Sequence, residues 1–174
     1  MAHSLELLVD DALDGIIRAQ WRTLAEAGLP SRANVAAPTN RPHVTLVAAP
    51  SISSSVDAAL VPLAMRLPVP VRLGGLVVFG GHNRFVLARL VVASSELLSI
   101  HAATLRLAAV DDPFAHGLPG EWTPHITLAR RMTAEQVGTA LALLPSAEPH
   151  GSASAIRRWD GDAHTEHVLP GRDC

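Results

Sequence analysis

The chain has 174 residues, of which 48% are hydrophobic and 3% aromatic, and its formal net charge is −2. That length suits one compact domain or two small lobes around a common core, and the slight acidity excludes the broad basic surface that non-specific nucleic-acid binding requires. The only cysteine is the last residue, Cys174, which excludes an internal disulfide framework or thiolate metal site and fits a reducing compartment.

The N-terminal stretch has no features of a targeting sequence. It carries Glu6 and Asp10 among its apolar residues and lacks a basic leader, so we expect that it is not a signal peptide. No apolar run approaches the roughly 20 residues that a membrane-spanning helix needs. We therefore expect a cytoplasmic protein that does not enter a membrane, and we expect it to act as a monomer.

The first third of the chain predicts two strands, each followed by a helix. Residues 5–10 predict a short strand, and apolar side chains at helical spacing predict an amphipathic helix over 11–27. The alternating, β-branched residues at 42–47 predict a second strand. Ser53 or Ser54 is expected to cap the helix that follows.

The rest of the chain predicts hairpins and two more helices. Gly74 and Gly75 are expected to form a bulge, and Thr133 with Gln136 is expected to form a capping box. The predicted elements are strands at 69–79 and 85–93 joined by a turn at 80–83, a helix at 96–109, a loop at 111–124, a strand at 124–129, a helix from 133 to 144, and a closing hairpin of 152–159 with 164–169. Mixed helices and hairpins predict an α+β fold with mainly antiparallel sheet.

One short motif occurs twice. Pro-His-Val-Thr-Leu at 42–46 returns as Pro-His-Ile-Thr-Leu at 124–128, about half a chain later. Residues two apart on a strand share a face, so His43 and Thr45 should point one way, and His125 and Thr127 should do the same. If the two halves pack symmetrically, two imidazoles and two hydroxyls meet in one groove.

Two histidines and two threonines suit phosphodiester chemistry. A neutral imidazole removes a proton from a nucleophile, and a protonated imidazole donates one to the leaving oxygen. The ordinary histidine pKa lies near 6.5, so small shifts let two histidines hold opposite protonation states near neutral pH. Threonine hydroxyls bind phosphate oxygens, and the chemistry needs neither a metal nor a cofactor. The sequence leaves open which histidine is the base.

At these residues the chain resembles the 2H phosphoesterase superfamily, and most of all its bacterial 2′-5′ RNA ligase and cyclic phosphodiesterase branch. The resemblance spans nearly the whole chain and implies a bilobal, pseudo-symmetric α+β fold with outer helices and a central cleft. Residues 1–174 would form one such domain, with one motif in each lobe. By the same match His43, Thr45, His125 and Thr127 are the active-site residues, and Arg130 contacts phosphate.

The resulting prediction is a metal-independent enzyme that hydrolyses a 2′,3′-cyclic phosphate on a nucleotide or an RNA end to a monoester. The reverse reaction would be 2′-5′ RNA ligation. Two alternatives stay open: a phosphodiesterase for another small cyclic or 2′-5′-linked nucleotide, and a module that binds nucleotide phosphates without turnover. The residues after the first motif depart from the ligase branch, because Val-Ala-Ala-Pro stands where an aromatic-Leu-Gly run is common.

Several further side chains are candidates for the site. Arg41 and Arg131 are secondary candidates for phosphate binding. Trp122 and Phe114 precede the second motif and could stack on a base or anchor their loop, and anchoring is the favoured reading. The other histidines form no compact ligand set with Asp or Glu in the sequence, so no metal site is predicted, and His101 is expected to be a packing residue.

Overall fold

The computed structural model describes residues 2–82 and 84–172, so Cys174 and position 83 of the predicted turn lie outside the described residues. These described residues form seven strands and four α-helices. In order they are β1 (His3–Val9), α1 (Asp11–Glu26), β2 (His43–Ala49), α2 (Val56–Ala64), β3 (Val69–Phe79), β4 (Phe85–Val91), α3 (Ser95–Ala108), β5 (His125–Met132), α4 (Ala134–Leu143), β6 (His150–Asp160) and β7 (Thr165–Pro170). Short 3-10 turns occupy Arg32–Asn34 and Ala115–Gly117.

All strand pairs are antiparallel, and the sheet order is β2-β1-β6-β3-β4-β5, with β7 added to β6. Strand β3 joins two halves of this sheet. Its first four residues pair with β6, and its later residues pair with β4. The register shifts between Leu73 and Leu76, so the predicted bulge at Gly74-Gly75 is confirmed. The α+β fold with mainly antiparallel strands is also confirmed.

The two motif strands lie at opposite ends of this sheet. Strands β2 and β5 are the terminal strands of the order, yet they pack against each other. The sheet must therefore curl until its ends meet. This curl brings together two segments that are far apart in the sequence.

Side-chain hydrogen bonds cap helices α1 and α4, whereas the predicted cap of α2 was wrong. Asp10 caps α1 by accepting from the backbone N–H of Leu13 at 2.8 Å. The capping box of Thr133 and Gln136 is confirmed at the start of α4. Helix α2 begins only at Val56, and the residue before it makes no side-chain cap bond. In its place, the Ser53 hydroxyl accepts from a backbone N–H in the turn before the helix.

Close packing between α1 and β6 requires a glycine. A Cβ placed on Gly151 would lie 2.8 Å from the Cβ of Leu13, which is a fully buried side chain of α1. Asp10 also accepts from the backbone N–H of Ser152, and this hydrogen bond links the start of α1 to β6. In the part of the chain that the structure describes, no helix is both long and apolar enough to cross a membrane.

Candidate active site

The two motif strands present their side chains as the alternation predicts. Val44 and Leu46 are fully buried, whereas His43 is only partly buried and borders a cleft. In β5, Ile126 and Leu128 are buried in the same way. The apolar members of each motif therefore anchor the strand in the core, and the polar members face the cleft.

Both motifs contain a β-bulge at the same position. In β2, Thr45 pairs with Glu6 and Val47 pairs with Leu5, which leaves Leu46 unpaired. In β5, the corresponding pairs on either side leave Leu128 unpaired. A bulge bends and twists a strand, and it often lies beside an active site. The repeated leucine is thus the bulge residue of each motif.

The two imidazole rings are oriented by equivalent hydrogen bonds. His43 Nδ1 donates to the carbonyl of Arg41 at 2.7 Å, and His125 Nδ1 donates to the carbonyl of Thr123 at 2.7 Å. A carbonyl only accepts, so the proton lies on Nδ1 in both neutral rings. The Nε2 atom of each neutral ring is then a hydrogen-bond acceptor.

In each motif, the backbone carbonyl of the threonine accepts a hydrogen bond from a tryptophan indole. Trp122 donates from Nε1 to the carbonyl of Thr45 at 2.9 Å. Trp21 of α1 donates from Nε1 to the carbonyl of Thr127 at 3.1 Å. Among the described residues, neither threonine hydroxyl has a protein hydrogen-bond partner, so both remain available to a ligand.

The cleft between the motif strands has a volume of about 710 Å³. Its lining includes all five residues that the sequence singled out, namely His43, Thr45, His125, Thr127 and Arg130. The bulge at Leu128 breaks the alternation, because Thr127 and Ala129 pair with successive residues of β4, and so Arg130 returns to the face of Thr127 and lines the cleft. This volume falls within the range of small-molecule sites, about 300–1,000 Å³.

The two secondary arginine candidates lie elsewhere. The guanidinium of Arg41 forms an ion pair with Glu166 at 3.3 Å, and only its carbonyl serves His43. Arg131 is exposed, with a left-handed backbone at φ 60°, and it does not line the cleft.

A buried ion pair adjoins His43. The carboxylate of Glu6 lies 3.6 Å from His43 Nε2, and Arg157 donates from Nε to Glu6 at 2.8 Å. Burial lowers the pKa of His43 below its ordinary value, and the Glu6 carboxylate opposes that effect by favouring the imidazolium. His43, Arg157 and a hydrogen bond from Ser4 outweigh burial at Glu6 and hold the pKa of that carboxyl below its ordinary value.

His125 has different neighbours. The ring of Phe79 lies 4.6 Å from its ring, centroid to centroid. Burial is the main cause that lowers the pKa of His125, and the positive charges of Arg130, His116 and a protonated His43 act in the same direction. No carboxylate is among the charges that shift the pKa of this ring. Burial and these positive charges disfavour the imidazolium form of His125 relative to an exposed histidine.

Three charged residues of the cleft were missed by sequence reasoning. Arg32 lines the cleft, and burial together with nearby Arg130 lowers its pKa. Glu6 and Arg157 are 4% and 2% exposed and also line it. The one available signal was an acidic residue inside the apolar strand Leu-Glu-Leu-Leu-Val, which is costly to bury without a partner.

Both aromatic residues before the second motif line the cleft, and Trp122 also packs on a buried histidine. The indole of Trp122 stacks on His101 at 4.0 Å with nearly parallel rings, which supports the anchoring interpretation. His101 is buried, and its Nε2 contacts the carbonyl of Gly117 at 2.9 Å, as expected for a packing residue. Phe114 lines the cleft.

One group of potential metal ligands lies beside the cleft. His3, Asp160 and Asp162 offer ligand atoms within 4.8 Å of one another, a set that the sequence had not indicated. The side chain of Asp160 already accepts from the backbone N–H groups of Asp162 and Ala163 at 2.9 Å each, so it stabilises the β6–β7 turn. The motif histidines are not part of this group.

Comparisons with known proteins agree with this architecture. The sequence model of the 2′-5′ RNA ligase superfamily matches residues 13–163. No curated protein is detectably similar in sequence. Among solved structures, E. coli LigT complexed with ATP has a TM-score of 0.54 at 17% identity, covering 97% of this chain and 93% of LigT. LigT complexed with NADP+ has a TM-score of 0.53 at 16% identity, covering 97% and 92%.

Kluyveromyces marxianus Usb1 with uridine monophosphate has a TM-score of 0.55 at 14% identity, covering 97% of this chain and 98% of Usb1. At such identities these neighbours establish the fold alone. The family model covers most of the chain and carries the assignment. The chain therefore belongs to the 2′-5′ RNA ligase superfamily of 2H phosphoesterases, and it is an enzyme of that family.

Proposed function

We propose that this enzyme hydrolyses a 2′,3′-cyclic phosphate, on a nucleotide or an RNA end, to a monoester without a metal ion. His43 and His125 would supply the acid and the base, Thr45 and Thr127 would bind phosphate oxygens, and Arg130 would offset the phosphate charge. We further propose that residues 1–174 act as one bilobal, monomeric, cytoplasmic unit.

The reaction needs two proton transfers at one phosphorus atom. A neutral imidazole takes a proton from water while the water oxygen bonds to phosphorus. As the bond from phosphorus to one ribose oxygen breaks, the second imidazole gives its proton to that oxygen. Each transfer typically contributes a factor of about 10² to 10⁴ in rate. The same steps with an RNA 5′-hydroxyl in place of water would ligate RNA, because the 5′-oxygen would bond to phosphorus as the bond to the 3′-oxygen breaks.

The observation that carries this proposal is the equivalence of the two motifs around one cleft. Both rings donate from Nδ1 to a backbone carbonyl and leave Nε2 for the cleft. Pure binding of a phosphate would not require two histidines in the same tautomer facing one cavity. This argues against a module that only binds.

A small substrate is favoured over a long RNA. The cleft of about 710 Å³ suits one or two nucleotides, and the net charge of −2 offers no extended basic surface. LigT has been crystallised with 3′-AMP and Usb1 with uridine monophosphate, so two proteins of this fold hold nucleotides. Another small cyclic or 2′-5′-linked nucleotide is the second candidate substrate.

The decisive experiment is a turnover assay across 2′,3′-cyclic mononucleotides, 2′-5′ dinucleotides and RNA ending in a cyclic phosphate. Each assay is run with and without a strong chelator. We expect hydrolysis of a cyclic phosphate that survives chelation. No turnover of any of these substrates would contradict the proposed function. Loss on chelation that a divalent ion restores would contradict the metal-independent mechanism.

A further inference from the structure

Within the part of the chain that the structure describes, only one of the two motif histidines has a carboxylate beside it. The Glu6 carboxylate lies 3.6 Å from Nε2 of His43, which is the nitrogen that faces the cleft. Strand register explains the approach, because Glu6 pairs with Thr45 on one side and with Arg157 on the other. The residue of β2 that lies opposite Glu6 is therefore a residue of the first motif, Thr45.

Glu6 is held in place by a dense set of hydrogen bonds. Arg157 donates to it from Nε and from a terminal nitrogen, and the Ser4 hydroxyl donates to its other oxygen. Arg157 in turn donates to the carbonyl of Thr39 at 2.7 Å and to Glu166 at 2.8 Å. A buried carboxylate fixed in this way cannot move aside when the charge on His43 changes.

The charges around His43 come from several elements. Glu6 of β1 is the acidic group at the ring, and Arg157 of β6 approaches Nδ1 to 3.3 Å. Arg32 of the first 3-10 turn also faces it. Glu166 of β7 pairs with both Arg157 and Arg41, so it acts on the ring only through those arginines.

The charges around His125 are of one sign. Arg130 of its own strand, His116 of the second 3-10 turn and His43 of β2 are the charged or titratable groups that face it. The two histidines are thus equivalent in sequence and in backbone contacts but opposite in their electrostatic surroundings. Glu6 accounts for that difference.

We propose that Glu6, fixed by Arg157, is a positioning residue that stabilises the imidazolium form of His43 directly and acts on His125 only weakly, through the charge of His43. This inference rests on the proposed function. If His43 is the acid, Glu6 keeps the proton that will pass to the leaving ribose oxygen. If His43 is the base, Glu6 stabilises the imidazolium that forms when water gives up its proton. In both cases the proton balance is the one described above.

The first test reads His43 directly and needs no turnover. Histidine ring nitrogens are followed by ¹⁵N NMR during a pH titration of the wild type and of Glu6→Gln. We expect the pKa of His43 to fall by about one unit and that of His125 to stay within about 0.3 units, since an opposite charge at this distance shifts a pKa by one unit or more. An unchanged His43, or equal shifts at both histidines, would overturn the proposal.

A matched control is available on the opposite face of β6, the strand that carries Arg157. Asp57 forms a bidentate pair with Arg158 at 2.8 and 2.9 Å, one residue along from Arg157. Asp57→Asn removes a carboxylate from an arginine pair outside the cleft, and it should move neither histidine. If Glu6→Gln does not fold, Glu6→Asp is used instead, because it keeps the carboxylate charge but places that charge farther from His43. That variant should shift His43 in the same direction by a smaller amount.

The second test uses the pH dependence of kcat/KM on the substrate that the wild type hydrolyses. We expect Glu6→Gln to displace one limb of the bell and lower the maximum about tenfold, while Asp57→Asn displaces neither. A uniform loss of activity with both limbs in place would indicate a merely structural role and would contradict the proposal. If the wild type hydrolyses nothing, the proposed function fails, and the NMR titration still decides the effect of Glu6 on His43.

Discussion

The segments 42–46 and 124–128, which lead into β2 and β5, carry nearly the same five residues, and the structure repeats their local geometry closely. Each histidine donates to the carbonyl two residues before it, and each threonine carbonyl accepts from an indole. Each motif leucine is a bulge residue. These shared features come from the motif and from its packing on the core.

The surroundings of the two motifs are not repeated. His43 faces the Glu6–Arg157 pair, whereas His125 faces Phe79 and positive charges. These neighbours differ because the adjacent strands carry different residues: Thr45 pairs with Glu6 of β1, whereas Thr127 pairs with Ala88 of β4. The comparison teaches that a duplicated motif sets where two imidazoles stand, while residues on the adjacent strands set how each imidazole holds its proton.

The largest expected effect comes from removing either imidazole. His43→Ala and His125→Ala should each lower kcat by about 10² or more, because each removes one proton transfer. The double variant should lose less than the product of the two losses, since the pair acts as a unit. The wild-type kcat/KM should follow a bell against pH.

The control for this prediction is His150→Ala, which removes an exposed imidazole outside the cleft and should leave kcat unchanged. Steady-state hydrolysis measures the rates, and circular dichroism checks the fold. A folded His125→Ala variant with near wild-type turnover would show that the two-histidine mechanism is wrong.

A smaller effect should separate two neighbouring arginines of β5. Arg130 lines the cleft and Arg131 does not. Arg130→Ala should lower kcat/KM by about 10- to 100-fold, the equivalent of one charged hydrogen bond of about 1.5–3 kcal/mol. It should also weaken inhibition by inorganic phosphate. Arg131→Ala should change both by less than about twofold, and similar losses in the two variants would rule out a specific phosphate contact.

Sequence reasoning succeeded where the signal was local. The box of Thr133 and Gln136 and the bulge at Gly74-Gly75 depend on residues close in the chain, and both were predicted. Strand β5 runs to Met132, beyond the predicted end at 129, because register irregularities let pairing continue past the motif. The predicted cap of α2 failed because the serines before it hydrogen-bond within their own turn.

The charged neighbours of His43 could not be predicted in the same way. Glu6 and Arg157 lie 151 positions apart, and they meet only through the register of β1 with β6. That register depends on the whole sheet and leaves no short motif. The shared cleft was accessible to reasoning because the repeat itself placed both histidines on equivalent strands.

The threonine hydroxyls should have a modest effect that is similar in both motifs. Thr45→Val and Thr127→Val each delete one hydrogen bond to the phosphate while keeping the strand shape, so kcat/KM should fall about 2- to 10-fold, or about 0.5–1.5 kcal/mol. Thr165→Val on β7 is the control, because that exposed threonine lies outside the cleft. Wild-type kcat/KM in both motif variants would contradict the proposed phosphate contacts.

Replacing the two indoles that donate to the motif carbonyls should have the smallest effect on catalysis, because these hydrogen bonds contribute mainly to stability. Trp21→Phe leaves the Thr127 carbonyl without its donor in a site where Trp21 is only 3% exposed, so the free energy of unfolding should fall by about 1–3 kcal/mol. Trp122 is partly exposed, and water can replace its N–H at the Thr45 carbonyl, so Trp122→Phe should cost about 0.5–1.5 kcal/mol. Denaturant unfolding measures both, with Trp159→Phe as a control whose indole contacts neither motif carbonyl. Equal losses in all three variants would mean that the indoles stabilise the protein by packing alone and do not support the motifs.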